Sequence, residues 1–290
     1  MYEILRKEKL AENIYLMDIH APRVAASAHP GQFIILRTTP EGERIPLTIS
    51  DYDIERGSVQ IVVQTLGVST LKLAEKEQGE CVEDFAGPLG RPSDFIYENL
   101  EELKGKKLLF IAGGVGTAPV YPQVKWLKEH GVDADVIIGA KTKELLILTD
   151  EMRAVAGNLY IATDDGSEGF HGMVTGCLKK LVEEDGKKYD TVITIGPMIM
   201  MKFVALTTKE LGIPTIASLN SLMVDGTGMC GACRVSVGGK TKFTCVDGPE
   251  FDAHEVDFDE AMRRSGQYRD EEQRRLERYK DHKCRIGLDK

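Results

Sequence analysis

Cys230 and Cys233 stand three positions apart among the glycines of DGTGMCGAC, and Cys245 follows twelve positions later in TKFTCVDGPE. Clustered thiolates are soft ligands for zinc or for an iron–sulfur cluster, and both kinds of site ordinarily take four protein ligands. Three are evident, so spacing alone leaves both the fourth ligand and the metal open. Zinc would brace the loop without redox chemistry, whereas an iron–sulfur cluster would carry single electrons. Cys81, Cys177 and Cys284 stand alone and read as small apolar residues.

A second group of residues suits phosphate chemistry. In IAGGVGTAPVYP an apolar strand turns into a helix at Gly113, Gly114, Gly116 and Thr117. Glycines there let a ligand approach the backbone, and the helix N-terminus offers free N–H groups and a positive dipole end. The run ends G-V-G-T-A-P, and the next strand closes in IIGAKTK without an acid, which disfavours a plain dinucleotide dehydrogenase. Two more strand ends carry comparable loops, Asp164-Asp165 in IATDDGSEGFHG and Gly196-Pro197-Met198 in ITIGPMIMMK. One such loop is ordinarily a turn. Three after three strands predict a nucleotide crevice at the carboxyl edge of a sheet.

Nearer the N-terminus, RIPLTIS holds Arg44, Pro46, Leu47 and Thr48, with a proline that marks an edge or a gap in strand pairing. GVSTLKL opens a helix at Gly67, Ser69 and Thr70, which is a cap and equally a small anion site. FAGPLGRPS, with Gly87, reads as a glycine-proline turn.

The elements that must position these residues change character near residue 103. Before it, short β-like runs (YEILRKEKL, NIYLMDIHA, QFIILRTT, RIPLTISDY, SVQIVVQTL) are separated by turns, which predicts an antiparallel barrel over 1–102. From 103 to 220 apolar strands alternate with helices, which predicts an α/β domain with a parallel sheet covered on both faces. The cysteine- and glycine-rich segment follows over 221–252, then a charged helical tail over 253–290 whose large apolar residues include Met262, Tyr268, Leu276 and Tyr279. That tail is equally compatible with a solvated helix and with a strip docked on the body or on another subunit.

Composition narrows the functional classes. The chain has 290 residues, 42% hydrophobic and 29% charged, and no apolar run of about 18 residues that could span a bilayer. Its net charge of −9, without a basic stripe, argues against nucleic acid as the main partner. The charged N-terminus does not read as a signal peptide, so a cytoplasmic protein with no membrane partner is expected.

Taken in order, R-x-P-L-T, G-x-S-T, G-P-L-G, G-G-V-G-T-A-P, D-D-G-S and G-P-x-x-M-M resemble the ferredoxin–NADP reductase superfamily. SLNSLMVDGTGMCGACRVSVGG and FTCVDGPEFDAH resemble its branch of dihydroorotate dehydrogenase electron-transfer subunits. Within that branch they are most similar to the small subunits of electron-bifurcating NADH-dependent ferredoxin:NADP oxidoreductases, also called sulfide dehydrogenases.

The resemblance implies FAD held by Arg44 near the pyrophosphate, by Pro46 and Leu47, and by Thr48 near the ring. Gly67, Ser69, Thr70 and Gly87 would add contacts. Gly113, Gly114, Gly116, Thr117, Asp165, Gly196, Pro197 and Met198 would form an NAD(H) cleft facing the flavin. Related subunits place a cysteine five positions before the first of the three here, where this chain has Asp225. Asp225, Cys230, Cys233 and Cys245 are therefore expected to hold a [2Fe–2S] cluster, with one carboxylate among three thiolates.

The family predominantly has Cys-Gly-Pro where this chain has Ile195-Gly196-Pro197, so no thiol is expected beside the nicotinamide. The resemblance also implies a heterodimer with a larger subunit that carries FAD, [4Fe–4S] clusters and the ferredoxin and NADP(H) sites. Other readings are the electron-transfer subunit of dihydroorotate dehydrogenase, a self-sufficient flavin reductase and a non-catalytic cluster-binding scaffold.

Overall fold

The computed structural model describes residues 2–285, with side chains described through residue 282. The side chain of Cys284 falls outside the described residues.

The N-terminal strands are β1 (Tyr2–Ala11), β2 (Ile14–His20), β3 (Phe33–Arg37), β4 (Arg44–Asp53), β5 (Ser58–Gln64), β6 (Cys81–Val82) and β7 (Asp84–Leu89). They form one antiparallel sheet in the order β6-β1-β2-β5-β4-β3-β7, curled into a nearly closed barrel. Two helices accompany it, α1 (Pro22–Ala25) and α2 (Val68–Glu75). Apolar residues from these strands, among them Ile4, Met17, Ile19, Ile34, Leu36, Ile49 and Ile61, are fully buried inside the barrel and form its core.

Strand β4 is paired unevenly. Its first half, Arg44–Thr48, pairs with β3 (Pro46 opposite Ile35, Thr48 opposite Phe33), and pairing with β5 begins only at Ile49. The backbone from Arg44 to Thr48 therefore has one edge without a strand partner, in the stretch where Pro46 offers no N–H. FAGPLG, expected as a turn, is strand β7 against β3, with Phe33 opposite Leu89. At Gly87 a Cβ would come within 2.6 Å of Ile34 Cγ2, so glycine lets β7 lie close on its neighbour.

After α3 (Leu100–Gly105) the chain alternates β8 (Leu108–Gly113), α4 (Thr117–Glu129), β9 (Ala134–Ala140), α5 (Thr149–Val155), β10 (Leu159–Thr163), β11 (Phe170–His171), α6 (Val174–Lys179), β12 (Thr191–Ile195), α7 (Met198–Glu210) and β13 (Thr215–Ser218). Every residue of the central strand β8 is buried, as a parallel strand covered on both faces requires. One face packs on α4 through Val120, Val124 and Leu127, the other on α6 through Cys177 and Leu178.

The cysteine-rich stretch is more than an appendage to this sheet. It contains the hairpin β14 (Arg234–Val237) and β15 (Lys240–Phe243), then α8 (Thr244–Asp247) and β16 (Glu250–Asp252). Strand β16 returns to pair antiparallel with β13, Ala217 opposite Phe251, and closes one edge of the sheet. Its three residues were too few to register as a strand in the sequence.

The tail forms α9 (Phe258–Ser265) and α10 (Arg269–Arg285). Phe258 and Ala261 are buried with Met201 and Ala205 of α7, and each large apolar side chain buried so contributes about 1.5–3 kcal/mol. Helix α10 then crosses back to the barrel. Arg275 pairs with Glu43, the Tyr279 hydroxyl donates to the Glu75 carboxylate at 2.8 Å, and Lys72 lies 5.7 Å from the Tyr279 ring centre. Both fates expected for the tail are seen: α9 docks on the body, whereas most described residues of α10 are exposed to solvent.

Candidate functional site

A single side-chain hydrogen bond joins the N-terminus of α2 to the start of β4. Thr70 caps the helix, its hydroxyl accepting from the Leu66 and Gly67 N–H groups at 3.0 and 3.1 Å. Ser69 donates to Glu43 at 3.0 Å, which ties the α2 N-terminus to the residue just before Arg44. Arg44, Pro46, Leu47 and Thr48 thus lie on the strand that follows this tie, and Gly67, Ser69 and Thr70 at the helix start on its other side. Gly87 lies on the β3–β7 side, against the barrel core.

The barrel meets the α/β domain at an apolar junction. Ile14, Leu16 and Val62 pack against Ala118, Ile147 and Leu148, with Val115 at the margin. Lys125 of α4 holds both carboxylate oxygens of Asp51 at 2.9 Å, a second fastening across the junction.

Two thirteen-residue helices, α4 and α7, begin side by side at the carboxyl edge of the sheet. Their glycines have different tasks. A Cβ on Gly113 or Gly196 would collide with Met200, and one on Gly116 would lie 2.2 Å from the Ile195 carbonyl oxygen. These three let the β8 and β12 loops interlock. Gly114 alone has φ +54° and open space where a Cβ would be, so it is the glycine that leaves room for a ligand. Thr117 donates to the Gly114 carbonyl at 2.9 Å and fixes the loop, and Met198 is buried at the start of α7.

Asp165 lies two strands away, about 10 Å at the usual strand spacing. Its carboxylate accepts from the Ser167 hydroxyl at 2.6 Å and from the Ser167 N–H at 3.0 Å, and these bonds hold it below the usual carboxylate range. The same Ser167 hydroxyl accepts from the Lys143 N–H at 2.9 Å, and the Asp165 N–H donates to the Lys141 carbonyl. Backbone groups of Lys141 and Lys143 thus fasten the β9 loop to the loop that carries Asp165.

The four residues expected as cluster ligands meet in two pairs. Cys230 Sγ is 3.2 Å from an Asp225 oxygen, and Cys233 Sγ is 3.2 Å from Cys245 Sγ. Among the described residues no three acidic, histidine or cysteine side chains converge tightly enough to grip one ion. Burial alone would raise the Asp225 carboxyl. Hydrogen bonds from Cys230, from the Thr227 N–H and hydroxyl, and from the Met229 N–H outweigh it and hold the group low. Burial and the Cys233 neighbour push the Cys245 thiol up to about 12.

The loop rests on the barrel. Cys233 and Cys245 are buried with Phe33, Ile35 and Met223, and a Cβ on Gly226 would collide with Leu89 and Ile35. Phe33, opposite Thr48 in the sheet, thereby links the open edge of β4 to the cysteines. Sequence reading missed Phe33, Glu43 and Ser167; only Ser167, two residues after an aspartate in a glycine-bearing loop, carried a local signal.

Residues 220–257 match the model of the iron-sulfur cluster binding domain of dihydroorotate dehydrogenase B. An uncharacterized Clostridium beijerinckii protein of the adh 3′ region is 61% identical over 272 residues, 94% of this chain and 92% of that one. A Thermotoga maritima homologue of the electron transfer subunit of dihydroorotate dehydrogenase B (NAD(+)) is 46% identical over 277 residues, 96% of this chain and 95% of that one. A solved structure of the NADH-dependent reduced ferredoxin-NADP oxidoreductase, described in work on flavin-based electron bifurcation, superimposes with a TM-score of 0.87 at 45% identity, covering 96% of this chain and 98% of the other. By fold and sequence, the chain belongs to the family of dihydroorotate dehydrogenase B electron-transfer subunits and their homologues.

Proposed function

We propose that this chain is the NAD(H)-facing electron-transfer subunit of a cytoplasmic oxidoreductase of the electron-bifurcating NADH/ferredoxin/NADP type. In this reading it carries FAD on the open β4 strip and a [2Fe–2S] cluster on Asp225, Cys230, Cys233 and Cys245. It forms a heterodimer with a larger subunit that bears FAD, [4Fe–4S] clusters and the ferredoxin and NADP(H) sites.

The observation that carries the reading is the pairing of the four ligands. A zinc ion needs all four side chains around one point, whereas a two-iron cluster takes two ligands at each iron. Contacts within Asp225/Cys230 and within Cys233/Cys245 suit the second arrangement. For FAD, the fit rests on the unpaired β4 edge, the capped α2 N-terminus and the Glu43–Ser69 bond between them. Together these groups would supply hydride exchange at the flavin and single-electron transfer at the cluster.

The chain's own residues set the geometry for that exchange. Gly114 and the N-termini of α4 and α7 would seat the dinucleotide phosphates, Asp165 would meet the ribose, and the packed β8 and β12 loops would keep the cleft rigid. Ile195 leaves no thiol at the strand end.

The test is a metal, sulfide and flavin count on the purified chain, with NADH–dye reductase activity. One FAD, two irons and two sulfides per chain are expected, with dye reduction but no ferredoxin-dependent NADP⁺ reduction in the absence of the partner. Zinc without iron, or the full reaction from this chain alone, contradicts the proposal. A second reading, the electron-transfer subunit of dihydroorotate dehydrogenase, is favoured by the names of the matched domain and of the Thermotoga relative. The large subunit that co-purifies from the native host decides between the two.

A further inference from the structure

The turn between the two close cysteines is held by two arginines from different elements. Arg234, on β14, donates from Nη1 to the Gly231 carbonyl at 3.1 Å. Arg264, on α9, donates from Nη2 to the Ala232 carbonyl at 3.2 Å. Both carbonyls of the Cys230-Gly231-Ala232-Cys233 turn are thus drawn onto guanidinium groups. Among the described residues Arg264 Nε is buried without a hydrogen-bond partner, and neither arginine forms an ion pair with a carboxylate.

We propose that Arg234 and Arg264 are positioning residues that set the redox poise of the centre held by Asp225, Cys230, Cys233 and Cys245. The inference rests on the [2Fe–2S] reading above. Its physical basis has two parts. All four ligands are anionic when they bind metal, and each added electron raises that negative charge, so nearby fixed cations favour the reduced form. A trans peptide holds its N–H opposite its C=O, so drawing the Gly231 and Ala232 carbonyls toward the arginines turns the Ala232 and Cys233 N–H groups the other way. Hydrogen bonds to cluster sulfurs and local charge both move such potentials.

The two arginines should contribute unequally. Arg264 is part-buried and Arg234 is exposed, so water and salt screen Arg234 more. Arg264 also ties the tail to the centre, because α9 is anchored through Phe258 and Ala261 on α7. No local motif marks Arg264 for this role, since it lies nineteen residues beyond Cys245 on another element.

The test is an EPR-monitored redox titration of the full chain with Arg264→Gln, Arg264→Lys and Arg234→Gln, alongside iron and sulfide counts. Arg264→Gln is expected to disfavour the reduced centre about tenfold, equal to about 59 mV for a one-electron couple. Arg234→Gln should shift it in the same direction by less, and Arg264→Lys, which keeps the charge, should recover most of the difference. If Arg264→Gln fails to keep iron, Arg234→Gln decides: a lowered midpoint with full iron supports the proposal, and a midpoint equal to that of the parent overturns it. Full iron with unchanged midpoints in both glutamine variants also overturns it and leaves the arginines as braces of the turn. A parent chain that holds no iron instead defeats the cluster reading itself.

Discussion

The Cys230 thiol lies 3.2 Å from an Asp225 oxygen, and the same carboxylate accepts from the Thr227 N–H, the Thr227 hydroxyl and the Met229 N–H at 3.1 to 3.3 Å. Asp225 therefore organises its own loop. Its geometry is that of an aspartate turn, common in loops. What sets it apart is the thiol among its partners, and that contact joins it to Cys230 as Cys233 is joined to Cys245.

The two kinds of glycine at the nucleotide cleft separate packing from binding. Gly116→Ala puts a Cβ against the Ile195 carbonyl and is expected to cost about 1–3 kcal/mol of folding stability. Gly114→Ala meets no atom within 4 Å and should cost about 1–2 kcal/mol through its left-handed backbone. Of the two, Gly114→Ala should weaken NADH more for a given loss of stability. Denaturant melts and NADH titrations measure both quantities, and an NADH affinity unchanged in Gly114→Ala contradicts the assignment.

The tail should matter for flavin retention. Arg275 neutralises Glu43, whose carboxylate otherwise stands beside the α2 N-terminus expected to receive the pyrophosphate. Both side chains are more than half exposed, so Arg275→Ala is expected to speed FAD release only about two- to fivefold. A chain ending after residue 267 should lose FAD faster still. Flavin fluorescence after gel filtration reports the loss, and equal retention in all three chains would contradict the prediction.

Asp165 and the lysines beside it should set the choice of dinucleotide. Asp165→Ser removes the carboxylate expected to meet a ribose and leaves Lys141 and Lys143 in place. KM for NADH is expected to rise about tenfold while KM for NADPH falls, since a lost charge-assisted hydrogen bond is worth about 1.5–3 kcal/mol. Parallel steady-state assays with the two cofactors check it.

Glu250 should make stability depend on pH. Burial raises its carboxyl to about 7, partly relieved by a hydrogen bond from Ser93 at 2.8 Å and reinforced by Asp94. A carboxyl raised in the folded state contributes stability that is full below its unfolded pKa, near 4.5, and lost as pH rises through about 7. Part of the residue reaches solvent, so the effect should be about 1–2 kcal/mol. Glu250→Gln is expected to gain that much on the parent at pH 8 relative to pH 4.5 in urea melts. An identical difference between the two chains at both pH values contradicts it.

Much of this was legible in the sequence, and the gaps have physical reasons. Runs such as SVQIVVQTL and KKLLFIAGG carry their period and burial openly, so the antiparallel and parallel sheets were predictable. FAGPLG was not, because glycine and proline signal a turn locally while β7 is held by pairing to β3. Strand β16 owes its existence to β13, thirty-two residues before it. Gly113, Gly116 and Gly196 looked like ligand glycines, yet the close approach they permit is between two loops of the protein itself. Arg264 reaches Ala232 only through the tertiary fold, which no spacing encodes.

The decisive measurement compares EPR-monitored redox titrations of the parent chain with Asp225→Cys and Asp225→Asn, each with an iron count. If Asp225 binds iron, the cysteine variant should keep two irons per chain with altered g-values and a shifted midpoint. The asparagine variant, which can still accept the loop hydrogen bonds, should lose more than about half its iron. Identical spectra, midpoints and iron contents in all three chains would return Asp225 to the role of an ordinary loop residue and require another fourth ligand.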